Sequence, residues 1–377
     1  MFESFFFAGF EGATGWNRHR TWIDQVAATQ HDRYADDDYR RLREVGLLAA
    51  REAVRWPLVD VRGRLDFASV MPFVTASRRH RIAVVWDLFH FGFPQDVDPF
   101  ASSLPARFAE YCRAVARFVA RETDRPLAFT PINEPSYFAW AAGEAGLFAP
   151  HARGRSAELK RQLARAAIAG ADAIFDVCPD ATIVSVDAMC RVTAPVDRPD
   201  LHAEADAFND GIVFESWDMV SGRLAPELGG SRAHLGVPGI NYYWTNQWEI
   251  GQVGRPLADD DPRRMPLAGL IDNVWRRYGG DVLVTETSHV DDARADWVLE
   301  IVAAAETLQA EGVPIGGVCL YPILGMPEWH DQTTWTRMGL WDLILGERDL
   351  NRVVHAPMLE ALRRAQRLAR ARTIDAA

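Results

Sequence analysis

Two hydrophobic rhythms alternate along the chain: short apolar runs rich in β-branched and aromatic residues, then longer segments with apolar residues every third or fourth position. The short runs predict strands near 5–11 (FFFAGFE), 47–54, 82–88, 127–132, 182–187, 237–243, 281–286 and 315–321. Of the helical segments, 156–177 is the clearest. There Leu159, Leu163, Ala166, Ala167, Ile174 and Val177 share a face, and Ser156 stands where a cap is wanted. A second helix is predicted over 293–310, with Trp297, Val298, Ile301 and Leu308 on one stripe behind Asp291 or Asp292 as cap. Eight strands alternating with helices predict an α/β fold, a single-domain (β/α)8 TIM barrel over residues 1–377. The surplus over the roughly 250 residues such a barrel needs falls at 12–35, 188–236 and 322–355, each after a strand. A doubly wound open sheet has the same alternation, but no G-x-G-x-x-G or G-x-x-x-x-G-K-[ST] follows any strand, so its usual phosphate cradle is missing.

Composition narrows the function classes. A formal charge of −11 over 377 residues argues against a nucleic-acid partner, which wants a basic face. Lys160 is the only lysine among 41 basic residues. No stretch approaches the roughly 20 apolar residues of a membrane span. The opening MFESFFFAGF is broken by Glu3 and reads as a strand, not as a signal segment, so a cytoplasmic protein is expected. The four cysteines form no C-x-x-C pair and the histidines no H-E-x-x-H, so neither metal nor disulfides nor a cofactor is expected.

A charged residue closing a barrel strand faces the shared pocket, where it is costly without partners. Glu134 closes strand four inside TPINEP, and Glu286 closes strand seven inside LVTETS. Two such carboxyl groups suit glycoside cleavage with retention, one as acid and one as nucleophile. The same pair could equally be two salt-bridged structural glutamates.

The surrounding residues resemble glycoside hydrolase family 1. The resemblance is carried by Asn133 before Glu134 in INEP, GINYY at 239–243 and Thr285-Glu286. It continues in Arg51 with Trp56 and Pro57, His90 with Pro94, Tyr321 with Glu328 and Trp329, and RMGL at 337–340. The segments DRPDLHAEADAF at 197–208 and SWDMVSGR at 216–223 are similar to the family's corresponding stretches, so the match runs in order along the chain.

The resemblance implies a retaining β-glycosidase, with Glu134 as acid/base and Glu286 as nucleophile, assisted by Arg51 and Tyr243. It further implies that Asn133 binds the sugar 2-hydroxyl, His90 and Trp329 the 3-hydroxyl region, and Glu328 the 4- and 6-hydroxyls. Tyr321, Asn241, Glu11 and Trp335 complete the candidate carbohydrate-binding set. Because the counterpart of Glu328 is kept and lysine is nearly absent, an unphosphorylated pyranoside is expected. A transglycosidase with the same residues and a sugar-binding pseudoenzyme are the competing readings.

Three departures bear on specificity. The strand-one loop reads GFEGATGWNRH and lacks the family's glutamine, leaving Glu11, Trp16, Asn17 or His19 to replace it. Tyr321 replaces a tryptophan and is followed by Pro322, for which a cis bond is expected, since proline makes cis cheap. One extra residue lies between Trp329 and Arg337, and the chain is short, so trimmed loops are expected on the leaving-group side.

Overall fold

A computed structural model describes residues 2–123, 126–346 and 349–375. Eight parallel strands close into a barrel: β1 (Phe6–Gly9), β2 (Ala49–Ala53), β3 (Ala83–Asp87), β4 (Ala128–Thr130), β5 (Thr182–Ala188), β6 (Val237–Asn241), β7 (Val282–Thr287) and β8 (Ile315–Leu320). Each lies within or beside one of the eight apolar runs. Closure is made by β1, which pairs with β8 through Phe6 and Val318 and with β2 through Gly9 and Arg51. The longer helices are α1 (His31–Glu44), α2 (Met71–His80), α3 (Leu104–Glu122), α4 (Pro135–Gly143), α5 (Ser156–Phe175), α6 (His202–Asp210), α7 (Leu267–Tyr278), α8 (Arg294–Ala310) and α9 (Ala356–Asp375). No helix among the described residues is long and apolar enough to cross a membrane.

The predicted faces of α5 and α8 are buried, but their predicted caps are not used. Arg155 occupies the cap position of α5, and Ser156 is its first helical residue. A 3-10 turn, Asp291–Ala293, leads into α8, so Ala293 takes the cap position and neither aspartate caps the helix. Val177 lies beyond the end of α5.

Strand alternation sorts side chains to the two faces of the barrel wall. Val85, Ala128, Val184, Val186 and Leu283 form one packed cluster, and Phe7, Ala49, Cys319 and Tyr321 another. Gly9 is required by this packing, because a Cβ there would lie 2.1 Å from the Tyr321 ring. On β2 the alternation has a direct consequence: Arg51 reaches the barrel residues Asp87, Asn133 and Glu286, while Glu52 bonds α1. There His31 is fully buried between Asp38, 2.9 Å from Nδ1, and Glu52, 3.1 Å from Nε2. Its ring stacks on Phe10 at 3.6 Å, Tyr39 donates to Glu52, and Arg352 also binds Asp38.

Burial alone would lower the His31 pKa, but Glu52 and Asp38 outweigh it and raise the value to about 9. A raised histidine pKa gives stability that is complete below the unfolded value, near 6.5, and lost as pH climbs through the folded one. The unfolding free energy should therefore fall by on the order of 3 kcal/mol from pH 6.5 to beyond 9. Urea titrations of the wild type and of His31→Gln across that range check this, and an equal pH slope in both proteins would contradict it.

Candidate active site

Both glutamates singled out from the sequence sit at the C-terminal end of the barrel. The register of β7 against β8 slips between Val284 and Thr287, a local irregularity that re-aims side chains at the strand end. Glu286, 4% exposed, is held there from two sides. Arg51 Nη1 donates to its Oε1, and the Tyr243 hydroxyl donates to its Oε2 at 2.9 Å. Arg51 is 1% exposed, and its Nη2 donates to Asp87 and to Asn133 Oδ1, each at 2.6 Å. Burial disfavours the guanidinium charge, but Asp87 and Glu286 more than offset it and push its pKa up. The cation is therefore permanent, and a carboxylate fixed by a guanidinium and a phenol is oriented for attack on an electrophilic carbon.

Glu134 is placed by a different device. Pro135 follows it, which disfavours the right-handed helical region for the preceding residue, and Glu134 turns in the left-handed region with φ 45°. This costs on the order of 1–3 kcal/mol. The turn ends the strand-four segment, starts α4 and leaves the carboxyl accepting a 2.8 Å bond from Asn241 Nδ2. Asn241 is fixed in turn by Thr285, whose hydroxyl donates to its Oδ1 at 2.8 Å. Burial raises the Glu134 pKa well above that of a free glutamate, and the nearby Glu286 charge raises it further. The two carboxyl groups thus differ in setting: Arg51 and Tyr243 both donate to Glu286, while burial pushes Glu134 toward the protonated form.

Beneath them runs a buried polar layer. His90 Nδ1 lies 2.8 Å from Asp87, and its Nε2 lies 3.5 Å from Glu11, 3.3 Å from Asn133 Nδ2 and 3.4 Å from the Tyr321 hydroxyl. Burial would lower the His90 pKa, but Asp87 and Glu11 raise it. The Tyr321 ring lies nearly parallel to His90 and 5.4 Å from the Arg51 guanidinium, and the Tyr321–Pro322 bond is cis, as the proline led us to expect.

A cavity of about 600 Å³ opens over this layer and is lined by Glu11, Glu134, Tyr243, Glu286, Glu328 and Trp329 among others. Of the candidates for the missing strand-one glutamine, Glu11 alone lines it. Asn17 is spent on the Trp329 carbonyl and on turn amides, His19 is exposed beside Arg18, and Trp16 lines a separate smaller cleft. Arg51, His90, Asn133, Asn241 and Tyr321 lie in the layer below the lining. Glu328 reaches the lining from an exposed position, and Trp329 packs edge-on to Phe91. Trp335, expected with the sugar-binding residues, does not line the cavity. It pairs with Pro327 in a two-residue strand pairing, half-buried.

Two aspartates were not singled out from the sequence. Asp87 closes β3 and joins Arg51 to His90. Asp187, near the end of β5, is fully buried, accepts from the Ser136 amide at the start of α4 and from Ser216, and adds to the charge around Glu134. Both are carboxylates at strand ends, so the rule that found the glutamates would have found them. Among the described residues, no group of three or more His, Cys, Asp or Glu side chains is arranged to hold a metal ion.

No family model matches the chain, and no curated protein matches it by sequence. Solved structures do. The chain is similar to the family 1 β-glucosidase from Thermotoga maritima with a TM-score of 0.77 and 15% identity, covering 96% of this chain and 97% of that one. The β-glucosidase from the same organism in complex with deoxynojirimycin gives a TM-score of 0.77 at 15% identity, covering 97% and 98%. The complex with noeuromycin gives 0.76 at 16%, covering 96% and 97%. At this identity the likeness establishes the barrel fold.

Proposed function

We propose that the chain is a retaining β-glycosidase of the family 1 type, acting on an unphosphorylated β-pyranoside. The observation that carries this reading is the pair of buried glutamates at the ends of strands four and seven, one held by the Arg51 and Tyr243 donors and the other with its pKa raised by burial. In the first step Glu286 attacks the anomeric carbon while Glu134 gives its proton to the departing oxygen, leaving a glycosyl ester on Glu286. In the second, Glu134 takes a proton from water, the resulting hydroxyl attacks the same carbon, and Glu286 is released. Two inversions restore the original anomeric configuration. Asn133 is the proposed partner of the sugar 2-hydroxyl, and Glu11, His90 and Glu328 of the remaining ring hydroxyls. A phosphosugar is disfavoured because the cations near the cavity are already matched: Lys160 bonds Glu215 at 2.7 Å, and Arg51 is surrounded by Glu286, Asp87 and Asn133.

The reading is tested with aryl β-glycosides spanning glucoside, galactoside, fucoside, xyloside, mannoside and glucuronide, followed by a 2-deoxy-2-fluoro glycosyl fluoride of the best glycone. Turnover of at least one glycoside and a single stable label on Glu286 are expected. A label on any other carboxylate, or no turnover across the panel, would sink it.

A further inference from the structure

We infer that Asp187 is a positioning residue for the acid/base: it caps α4 in place of Glu134 and stands near Glu134 as a like charge that outlasts the esterification of Glu286. The roles of the two glutamates in this rest on the glycosidase reading. Glu134 occupies the cap position of α4, where a side chain ordinarily accepts from the first free amides, but its carboxyl makes no such bond and turns instead to Asn241. Asp187 supplies the missing acceptor from the neighbouring strand. The Ser136 amide lies 3.3 Å from both of its carboxylate oxygens, and one residue earlier along β5 the Val186 carbonyl accepts from the Glu134 amide at 3.1 Å. The end of β5 thus grips the turn on either side of Pro135, and the Glu134 side chain is left free for the cavity.

The Asp187 carboxylate has further donors of its own, the Ala188 amide at 2.9 Å and the hydroxyl of Ser216 from the short helix Glu215–Val220. Burial pushes its pKa up, while these bonds and the Lys160 charge on α5 favour the anion. The positive end of a helix favours ionisation of a carboxyl at its cap position, which would work against an acid that must arrive protonated. Asp187 set against that end has the opposite effect, and its charge raises the Glu134 pKa. Of the other groups facing Glu134, Glu286 on β7 is a like charge, Arg51 on β2 an opposite one and Asn241 on β6 a donor. The Tyr137 and Tyr243 phenols and the Cys190 thiol are held neutral by burial. Esterification removes the Glu286 charge midway through the reaction. Asp187 is bound to α4, β5 and the Ser216 helix, not to the nucleophile, so its charge acts in both halves.

The test is Asp187→Asn, in which the amide oxygen can still accept from Ser136 and the amide nitrogen can donate to Ser216, so the charge is lost and the contacts are kept. Two pH profiles are measured on the intact protein. One is kcat/KM for an alkyl β-glycoside, which needs Glu134 protonated, and the other is the hydrolytic release of a 2-deoxy-2-fluoroglycosyl label from Glu286, which needs it ionised. The alkaline limb of the first and the acid limb of the second should both move about one pH unit toward acid, a tenfold change in the ionisation of Glu134 at fixed pH. A merely structural loss would lower both rates without moving either limb, and that result would overturn the inference. Asp187→Ser also removes the charge and needs less space, so it carries the same test where the asparagine variant folds poorly. A third readout needs no turnover: the 13C carboxyl signal of Glu134, identified by its absence in Glu134→Gln, should titrate about one unit lower in the variant. That shift alongside a silent glycoside panel would count against the glycosidase reading alone, whereas an unshifted signal would overturn the inference itself.

Discussion

Replacing Glu286 with glutamine is expected to lower kcat by about 10⁴- to 10⁶-fold, a loss of roughly 5–8 kcal/mol of transition-state stabilisation, on the β-glycoside that the panel identifies. The amide keeps the shape of the side chain but carries no charge and is a poor nucleophile. It also turns one terminal atom into a donor, which faces either the Arg51 guanidinium or the Tyr243 hydroxyl, both of which donate to Glu286 in the wild type. Arg51 retains Asp87 and Asn133, so its charge is not left unpaired and the barrel should hold. Thermal unfolding of the variant therefore serves as the control, with a Tm close to the wild type expected. The shorter Glu286→Gly leaves space for a small anion, and added azide should restore turnover and give a glycosyl azide of inverted configuration. Activity of Glu286→Gln within tenfold of the wild type, after removal of any deamidated protein, would exclude this residue as the nucleophile.

The barrel was legible because its strands are buried on both faces and so read as nearly continuous apolar runs, each closed by a turn or a charge. Glu134 and Glu286 stood out for the same reason, as carboxylates ending runs such as TPINEP and LVTETS. Of the layer beneath them, Arg51, His90, Asn133, Asn241 and Tyr321 were also named from the sequence, and what was missing was Asp87, which joins Arg51 to His90. Asp87 ends an apolar run as the glutamates do, but its partners show only when the barrel closes and sets it against Arg51, 36 positions away, and His90. Asp187 supports the start of α4 from the neighbouring strand, a contact across 51 residues. The helix caps failed for a local reason: at α8 a 3-10 turn displaces Asp291 and Asp292 from the cap position, and at α5 Ser156 is taken into the helix. That Trp335 stays out of the cavity lining could not be read from its position along the loop.

Glu134→Gln should give a pattern that depends on the leaving group. With an alkyl β-glycoside, whose departing oxygen needs a proton, kcat/KM is expected to fall by about 10²- to 10⁴-fold, the usual contribution of a positioned acid. With a dinitrophenyl glycoside, which departs without help, the loss in that parameter should be far smaller. The pH profile carries the same information. Burial first, and the Glu286 charge second, hold the wild-type carboxyl protonated where a surface glutamate is ionised, so glycosylation should weaken as pH rises through that raised value, and the glutamine variant should lack this alkaline limb. Once Glu286 is esterified its charge is gone and one cause of the elevation goes with it. The Asn241 bond and the Arg51 charge, which both favour the anion, then weigh more heavily, and the group can act as base toward water. The same raised pKa fixes a sign for stability: below pH 4.5 both folded and unfolded chains hold the proton, while above it the unfolded chain releases it first and the wild type loses stability. The Tm advantage of Glu134→Gln should therefore appear above about pH 4.5 and grow until the folded wild type also ionises. A difference independent of pH would mean that Glu134 is not the group held protonated by burial, and the acid would have to be sought elsewhere in the cavity.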